Sequence, residues 1–306
     1  MKQKKTSLKI MPVKKAESFQ TTLARSLRHL KNDFGACGLK LSTEDAAMTI
    51  DQIKFWADAS LLPAIVKIGG PNARNDIKQL VSLNIDGLIA PMVESPYGLE
   101  NFIAAVRDFT TPMQFGRLNK HINIETVTAV KQLGDILNAP EAKFLDEVTI
   151  GCSDLSSSLK KSGEDRSVLN RVARAVKKIK SKKMSVSVGG GIQPETIDDF
   201  LKKVQPDKFN TRVVTFDVVP GQKYGQAVAE ALRFEILMLE HDARQGFITL
   251  DEEKFRIKEL KKTLEVDCFR RSFPSFVLSF YSFFIISQDI IDKRVKYHKI
   301  QPSFYA

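Results

Sequence analysis

The chain has 306 residues, 43% of them hydrophobic, with 47 basic and 36 acidic side chains and a formal net charge of +11. That length holds one large α/β domain or two small ones, and the apolar content excludes a disordered or collagen-like chain. The excess charge sits at the ends: residues 1–33 hold nine basic side chains against two acidic ones, 267–306 hold six against three, and 34–266 nearly balance at 32 against 31, so no nucleic-acid partner is expected.

Cys37, Cys152 and Cys268 lie far apart, and four histidines give no zinc spacing. This usage suits a reducing, cytoplasmic setting. The basic start lacks the apolar core of a secretory signal. No stretch reaches the roughly 18 apolar residues of a spanning helix, so no membrane span is expected; Phe276 to Ser287 comes nearest but carries three serines.

In chain order, Ala16 to Asn32 has its leucines at helical spacing and Ala36 to Leu41 reads as a strand. Ile50 to Ala59 is a helix with Trp56 inward, Ala64 to Ile68 an apolar strand ending in Gly69-Gly70, Asn72 to Leu83 a helix, and Ile85 to Ala90 a strand stopped by Pro91. Pro96 opens a helix through about Arg107, as proline does at a first helical position. His121 to Glu125 is then a strand, Val127 to Leu137 a helix, Glu147 to Ile150 a strand, and Cys152 to Ser158 a polar loop. Asp165 to Lys182 is a basic-faced helix and Met184 to Val188 a strand running into Gly189-Gly190-Gly191. Pro194 to Val204 is a helix, Arg212 to Phe216 a strand and Tyr224 to Glu240 a long helix.

Short apolar strands alternating with helices mean parallel βαβ units. The pattern yields seven strands. A closed (β/α)₈ TIM barrel needs an eighth, either Leu8 to Val13 or Met113 to Phe115. A doubly wound sheet is the alternative, but no GxGxxG follows any strand. The domain division expected is a basic segment and helix over 1–33, the barrel over 34–245, and an atypical C-terminal extension over 246–306 with a Phe-rich tail.

In a parallel barrel the site forms at the C-terminal strand ends. The polar residues there are Lys40 and Ser42, Lys67, Glu94, Asn123 and Glu125, Asp154 with Ser156, Gly189 to Gly191, and Thr215 with Asp217. Glu125 and Asp154 each follow an apolar strand; the pair suits Mg²⁺ or Mn²⁺, which keep several waters, or else caps helices or pairs with lysine. Lys67 either stabilises an enolate oxygen, forms a Schiff base if its pKa is depressed, or pairs with Glu94 or Glu125. Gly189 to Gly191 is either an anion-binding loop or a tight turn. Cys152 lies in a site loop with nothing to activate it.

Three segments occur in order: Ala90-Pro91-Met92-Val93-Glu94-Ser95-Pro96, Ile122-Asn123-Ile124-Glu125-Thr126, and Ile150-Gly151-Cys152-Ser153-Asp154-Leu155-Ser156-Ser157-Ser158-Leu159. Together they resemble the HpcH/HpaI aldolase and citrate lyase beta-subunit superfamily of phosphoenolpyruvate/pyruvate-domain barrels. Val66-Lys67-Ile68-Gly69-Gly70 and Val188-Gly189-Gly190-Gly191 are similar to a less characterised branch. The resemblance spans roughly residues 34–218. It implies a TIM-barrel, metal-dependent carbon–carbon lyase (an aldolase or citrate-lyase-like enzyme) with Glu125 and Asp154 as metal ligands and Mg²⁺ or Mn²⁺ as cofactor. The implied substrate is a small 2-oxo acid or acyl-CoA-type carboxylate, cleaved through a metal-stabilised enolate. Lys67 then meets the substrate's carboxylate or enolate oxygen, and Glu94, Ser153, Leu155, Ser156, Gly189 and Gly190 surround it.

Several positions depart from the family. Lys67 replaces an arginine, which removes a planar fork; Cys152 and Lys160 are also atypical. The first strand–helix loop has no histidine base and holds Glu44 and Asp45 instead, with Glu44 the candidate site residue. Some family members cover a neighbouring subunit with a C-terminal helix, so a homo-oligomer is expected. A barrel that binds a metabolite without turnover, and a phosphate-handling isomerase resting on Gly189 to Ile192, are the competing functions.

Overall fold

Eight strands close into one barrel in chain order. The computed structural model describes residues 19–272 apart from 84 and 164, with side chains from 21 to 265. The elements are α1 (Phe19–Phe34), β1 (Ala36–Ser42), α2 (Ile50–Ala59), β2 (Ala64–Lys67), α3 (Arg74–Leu80), β3 (Gly87–Ala90), α4 (Pro96–Asp108), α5 (Pro112–Arg117) and β4 (Asn119–Ile124). They continue with α6 (Val127–Asn138), β5 (Glu147–Gly151), α7 (Cys152–Ser158), α8 (Arg166–Ser181), β6 (Ser185–Gly189), α9 (Ile197–Val204), β7 (Lys208–Asn210), β8 (Val214–Asp217), α10 (Gly225–Gln245) and α11 (Leu250–Ser272).

The helices start where the sequence supplies caps. Thr49 accepts from the Gln52 N–H, Ser95 from Gly98 with Pro96 at the first turn, and Thr126 from Ala129, each satisfying an amide that the helix leaves unpaired. Outward-facing strand residues such as Leu39, Val66, Leu88, Ile122, Val148 and Val188 are fully buried against the helices, because successive strand side chains point to opposite faces.

Two expectations are corrected. The eighth strand is Lys208–Asn210, and Met113 to Phe115 lies within α5, which Thr111 and Gln114 start with a reciprocal capping box. Leu8 to Val13 lies outside the described residues, as does the Phe-rich segment from Phe273 onward. The second correction concerns direction. β8 runs antiparallel to both β7 and β1, while β1 to β7 pair in parallel. A tight connection makes this reversal: the Thr211 N–H and hydroxyl both donate to the Val214 carbonyl, and the Val214 N–H returns to the Thr211 hydroxyl. The hairpin therefore presents Arg212 at the C-terminal mouth. It carries Thr215 and Asp217 down to the opposite end, where Thr215 pairs with Gly38 and Asp217 with Lys208.

The lumen is unusually polar. Thr149 and Ser187 hydroxyls meet at 2.8 Å, Asn210 donates to Ser187 at 3.0 Å, and Thr215 donates to Asn210 at 2.6 Å. Lower down, Lys208 lies 3.0 Å from the buried Glu147, and His121 3.9 Å from it. Thr149, Asn210, Thr215, Lys208, Glu147 and His121 line a cavity of about 230 Å³.

After β8 the chain turns into α10 through Tyr224, whose hydroxyl donates to the Asp217 carbonyl. Buried Asp242 on α10 accepts from Trp56 Nε1 at 2.8 Å and Gln52 Nε2 at 2.7 Å, which fastens α10 to α2. α1 and α11 pack on α10. Among the described residues no helix is long and apolar enough to cross a membrane.

Candidate active site at the barrel mouth

β4 ends on Ile124, and the next residue, Glu125, is 2% exposed. Its Oε1 accepts the Met92 N–H at 2.8 Å and its Oε2 accepts Asn123 Nδ2 at 3.1 Å. Met92 holds φ at 54°, a left-handed backbone that few side chains adopt; such conformations persist where surrounding structure enforces them. Burial pushes the Glu125 carboxyl above the ordinary carboxylate range; the Met92 N–H, Lys67 and Asn123 pull it back, and Asp154 adds to the rise.

The space beside Glu125 exists because Gly151 has no side chain. A Cβ there would lie 2.5 Å from Glu125 Oε2. The chain then enters α7, so the expected polar loop from Cys152 to Ser158 is a short helix. Asp154 sits exposed in its first turn, within electrostatic reach of Glu125. Ser158 Oγ accepts the Val127 N–H at 3.0 Å, which ties α7 to the end of β4.

Lys67 closes β2 and is 6% exposed. Its Nζ lies 2.6 Å from Glu44 Oε2 and 3.8 Å from Asp45 Oδ2, so its ion-pair partners are these two rather than Glu94 or Glu125. Burial opposes the ammonium, but Glu44, Asp45 and Glu125 outweigh it and hold the Lys67 pKa above the usual lysine range. A Schiff base on Lys67 required the reverse shift. The Glu44 and Asp45 amides both donate to Ser42 Oγ at 3.1 Å, which aims that loop over the mouth. Burial also raises Asp45, yet the Ser42 hydrogen bond, Lys67, Lys40 and Arg212 bring its pKa below the usual range.

Glu94 is half-buried and accepts a short hydrogen bond from the Thr126 hydroxyl, which places it one residue from Glu125. Ser153 is exposed and Ser156 buried, the latter donating to the Ser153 carbonyl at 2.8 Å. Leu155 is fully buried in the core, so only its backbone faces the site loops. Gly190 and Gly191 adopt φ of 85° and 69°, and a Cβ on Gly190 would lie 2.7 Å from the Ser153 amide. The two loops thus close against each other. They edge a cleft of about 680 Å³ that runs from Cys152 and Ser153 past Ser156 and Gly190 to Phe200 and Lys203. Burial pushes the Cys152 thiol up to about 12, which leaves it no thiolate reactivity at neutral pH.

Lys67, Glu125 and Asp154 therefore share one mouth, with Glu94 beside them and Ser153, Ser156 and Gly190 along the adjoining cleft; Gly189, expected there too, closes β6 instead, where an added Cβ would lie 3.3 Å from Asn210. Sequence reasoning missed Arg212, whose Nη1 lies 3.7 Å from the buried Glu235, and the Met92 amide. It also missed the role of Gly151, although a glycine closing a strand is itself a sign of close approach.

An eight-stranded barrel with a carboxylate-lined mouth defines the class of protein. The HpcH/HpaI aldolase/citrate lyase family matches residues 42–202, just over half of the chain. The protein belongs to that family, and a lyase-type activity follows from it. Among solved structures, it is similar to an HpcH/HpaI aldolase/citrate lyase family protein from Burkholderia cenocepacia J2315, at 13% identity and a TM-score of 0.47, covering 58% of this chain and 89% of that one. It is also similar to an HpcH/HpaI aldolase from Desulfitobacterium hafniense DCB-2, at 16% identity and a TM-score of 0.49, covering 64% and 83%. A third similarity is to the citrate synthase SbnG, at 17% identity and a TM-score of 0.49, covering 60% and 89%. No curated protein matches the chain in sequence.

Proposed function

We propose that this protein is a divalent-metal-dependent carbon–carbon lyase acting on a small 2-oxo acid or acyl carboxylate. The observation that carries the reading is Glu125: a buried carboxylate at the lumen mouth, pinned by the Met92 amide and Asn123, with Asp154 and Lys67 in electrostatic reach.

Among the described residues no group of three or more His, Cys, Asp or Glu is placed to hold a metal ion, which argues against an all-protein cage. Two carboxylates remain, together with the buried Asn123 Oδ1, which has no hydrogen-bond partner. All are hard oxygen donors, and Mg²⁺ or Mn²⁺ commonly keeps waters and substrate oxygens in its remaining positions. The residues fit such an ion, with Glu125 and Asp154 as its ligands. When bound, it supplies a Lewis acid for negative charge developing on a substrate carbonyl oxygen.

The chain's own groups do the rest. Lys67, steadied by Glu44 and Asp45, directs positive charge at the substrate's carboxylate or enolate oxygen. Glu94 and Thr126 hold the rim beside Glu125. Ser153, Ser156 and Gly190 border the cleft that receives the remainder of the substrate, with the Leu155 backbone behind them.

Exchange of pyruvate methyl protons into deuterated water tests the reading. With Mg²⁺ or Mn²⁺ present, exchange is expected, and Glu125→Gln is expected to slow it by about a thousandfold, each ~1.4 kcal/mol of lost stabilisation being tenfold. The same variant is expected to lose Mn²⁺ affinity in titration calorimetry. Absence of exchange together with unchanged Mn²⁺ affinity of Glu125→Gln overturns the assignment.

A further inference from the structure

We propose that the substrate of this mouth carries an uncharged apolar tail, alkyl or aryl, and that the tail lies in the cleft between α7, α8 and α9. The inference rests on the reading of Glu125 and Asp154 as the metal end of the site, and it names the chemistry of the rest of the substrate. The cleft starts beside the mouth. Ser153, on its near edge, adjoins Asp154 in the first turn of α7. Gly190, opposite, packs so close to the Ser153 amide that only a residue without a side chain fits. A 2-oxo acid held at Asp154 therefore has its other end beside this cleft.

Size and lining select the tail. About 680 Å³ is far more than pyruvate fills, and it falls in the range of pockets that enclose a whole organic ligand. The walls are Leu169 of α8, Ile192 of the loop after β6, and Ile197 and Phe200 of α9. Leu169, Ile192 and Phe200 are only half-buried, so apolar surface is left facing the cleft, and covering it is favourable in proportion to its area. Among the described residues, the charged groups that line the cleft are Asp199 and Lys203. Both are exposed, and they stand one turn apart on α9 with opposite signs, so their charges offset each other. On the inner side, the Ser156 hydroxyl donates to the Ser153 carbonyl. A second carboxylate on the substrate would thus lose its water without gaining a matching cation, a penalty that an uncharged tail avoids.

Titration calorimetry on the full chain with Mn²⁺ tests this, using straight-chain 2-oxo acids from pyruvate to 2-oxooctanoate. Affinity is expected to rise about threefold for each added methylene. 2-Oxohexanoate is expected to bind about tenfold more tightly than 2-oxoadipate, which has the same length and a charged end. Phe200→Ser and Leu169→Ser, each checked for folding by its melting transition, are expected to flatten the series. A flat series in the wild type, or 2-oxoadipate binding as tightly as 2-oxohexanoate, overturns the proposal, and neither result depends on a variant that folds. Pyruvate proton exchange separates the two readings. Exchange with a flat series keeps the metal reading and removes this one; a length-dependent gain without exchange does the opposite.

Discussion

The two ends of the barrel lumen are built from the same residue types and behave in opposite ways. At the lower end, Glu147 and Lys208 lie 3.0 Å apart with His121 beside them. Burial pushes Glu147 upward, but His121 and Lys208 outweigh it and hold its carboxyl below the usual range. Lys208 loses to burial and regains more from Glu147, ending above the usual range. At the mouth, burial wins over both members of the corresponding pair: Glu125 is raised and Lys40 is lowered. A charge pair that satisfies itself is structural. A carboxylate and an amine that share a lumen without touching retain capacity for a ligand, and strongly perturbed groups in a cleft are where chemistry is to be sought.

The largest effect that tests this contrast is on stability, at the lower end. Lys208→Met leaves the buried Glu147 without its closest cation and is expected to destabilise the fold by about 4 kcal/mol, as breaking a buried pair does. Lys67→Met removes the cation beside Glu44 and Asp45, which are respectively 33% and 40% exposed, and one of the three groups that offset the burial of Glu125, so it is expected to cost less, about 1–2 kcal/mol. Urea unfolding of both variants measures the difference. Equal losses would erase the distinction between the two ends.

The next effect concerns rate. Gly151→Ala places a methyl carbon 2.5 Å from Glu125 Oε2, so the carboxylate has to move. A displacement of that order is expected to lower kcat by about a hundredfold. Gly116, whose added Cβ would meet nothing within 4 Å, lies in α5 and supplies the control: Gly116→Ala is expected to leave turnover unchanged.

Seven of the strands, most helices and the placement of Glu125 and Asp154 just after β4 and β5 were legible because alternation and helical periodicity are local. The β7 strand was not. Lys208-Phe209-Asn210 offers a single apolar residue, and its pairing is decided by neighbours distant in sequence. Without it, the reversal of β8 stays hidden, and Thr215 and Asp217 are assigned to the wrong end of the barrel. The Cys152–Ser158 helix was hidden by serines, which favour turns in isolation; here Leu155 supplies the buried contact that holds the helix down. The partners of Lys67 were legible only as residue types: Glu44 and Asp45 stand in a loop whose direction depends on the Ser42 hydroxyl.

The smallest effect is a change of sign with pH. In metal-free buffer, Glu125 has a raised folded pKa, so the stability it contributes is present at acid pH and is lost as pH rises through that folded value. Near neutrality it is a buried charge that costs stability. Glu125→Gln is therefore expected to be more stable than the wild type at pH 7, by about 1 kcal/mol, as happens when a strained functional group is removed. That advantage is expected to vanish as pH falls into the ordinary carboxylate range. Glu147 has a lowered folded pKa, so its contribution is present above the ordinary range and is lost as pH falls through the folded value. Glu147→Gln is expected to be less stable than the wild type at neutral pH, with a deficit that closes in acid. Denaturation midpoints across this range thus move in opposite directions for two carboxylates in one lumen. If both variants respond with the same sign, burial rather than pairing governs both ends.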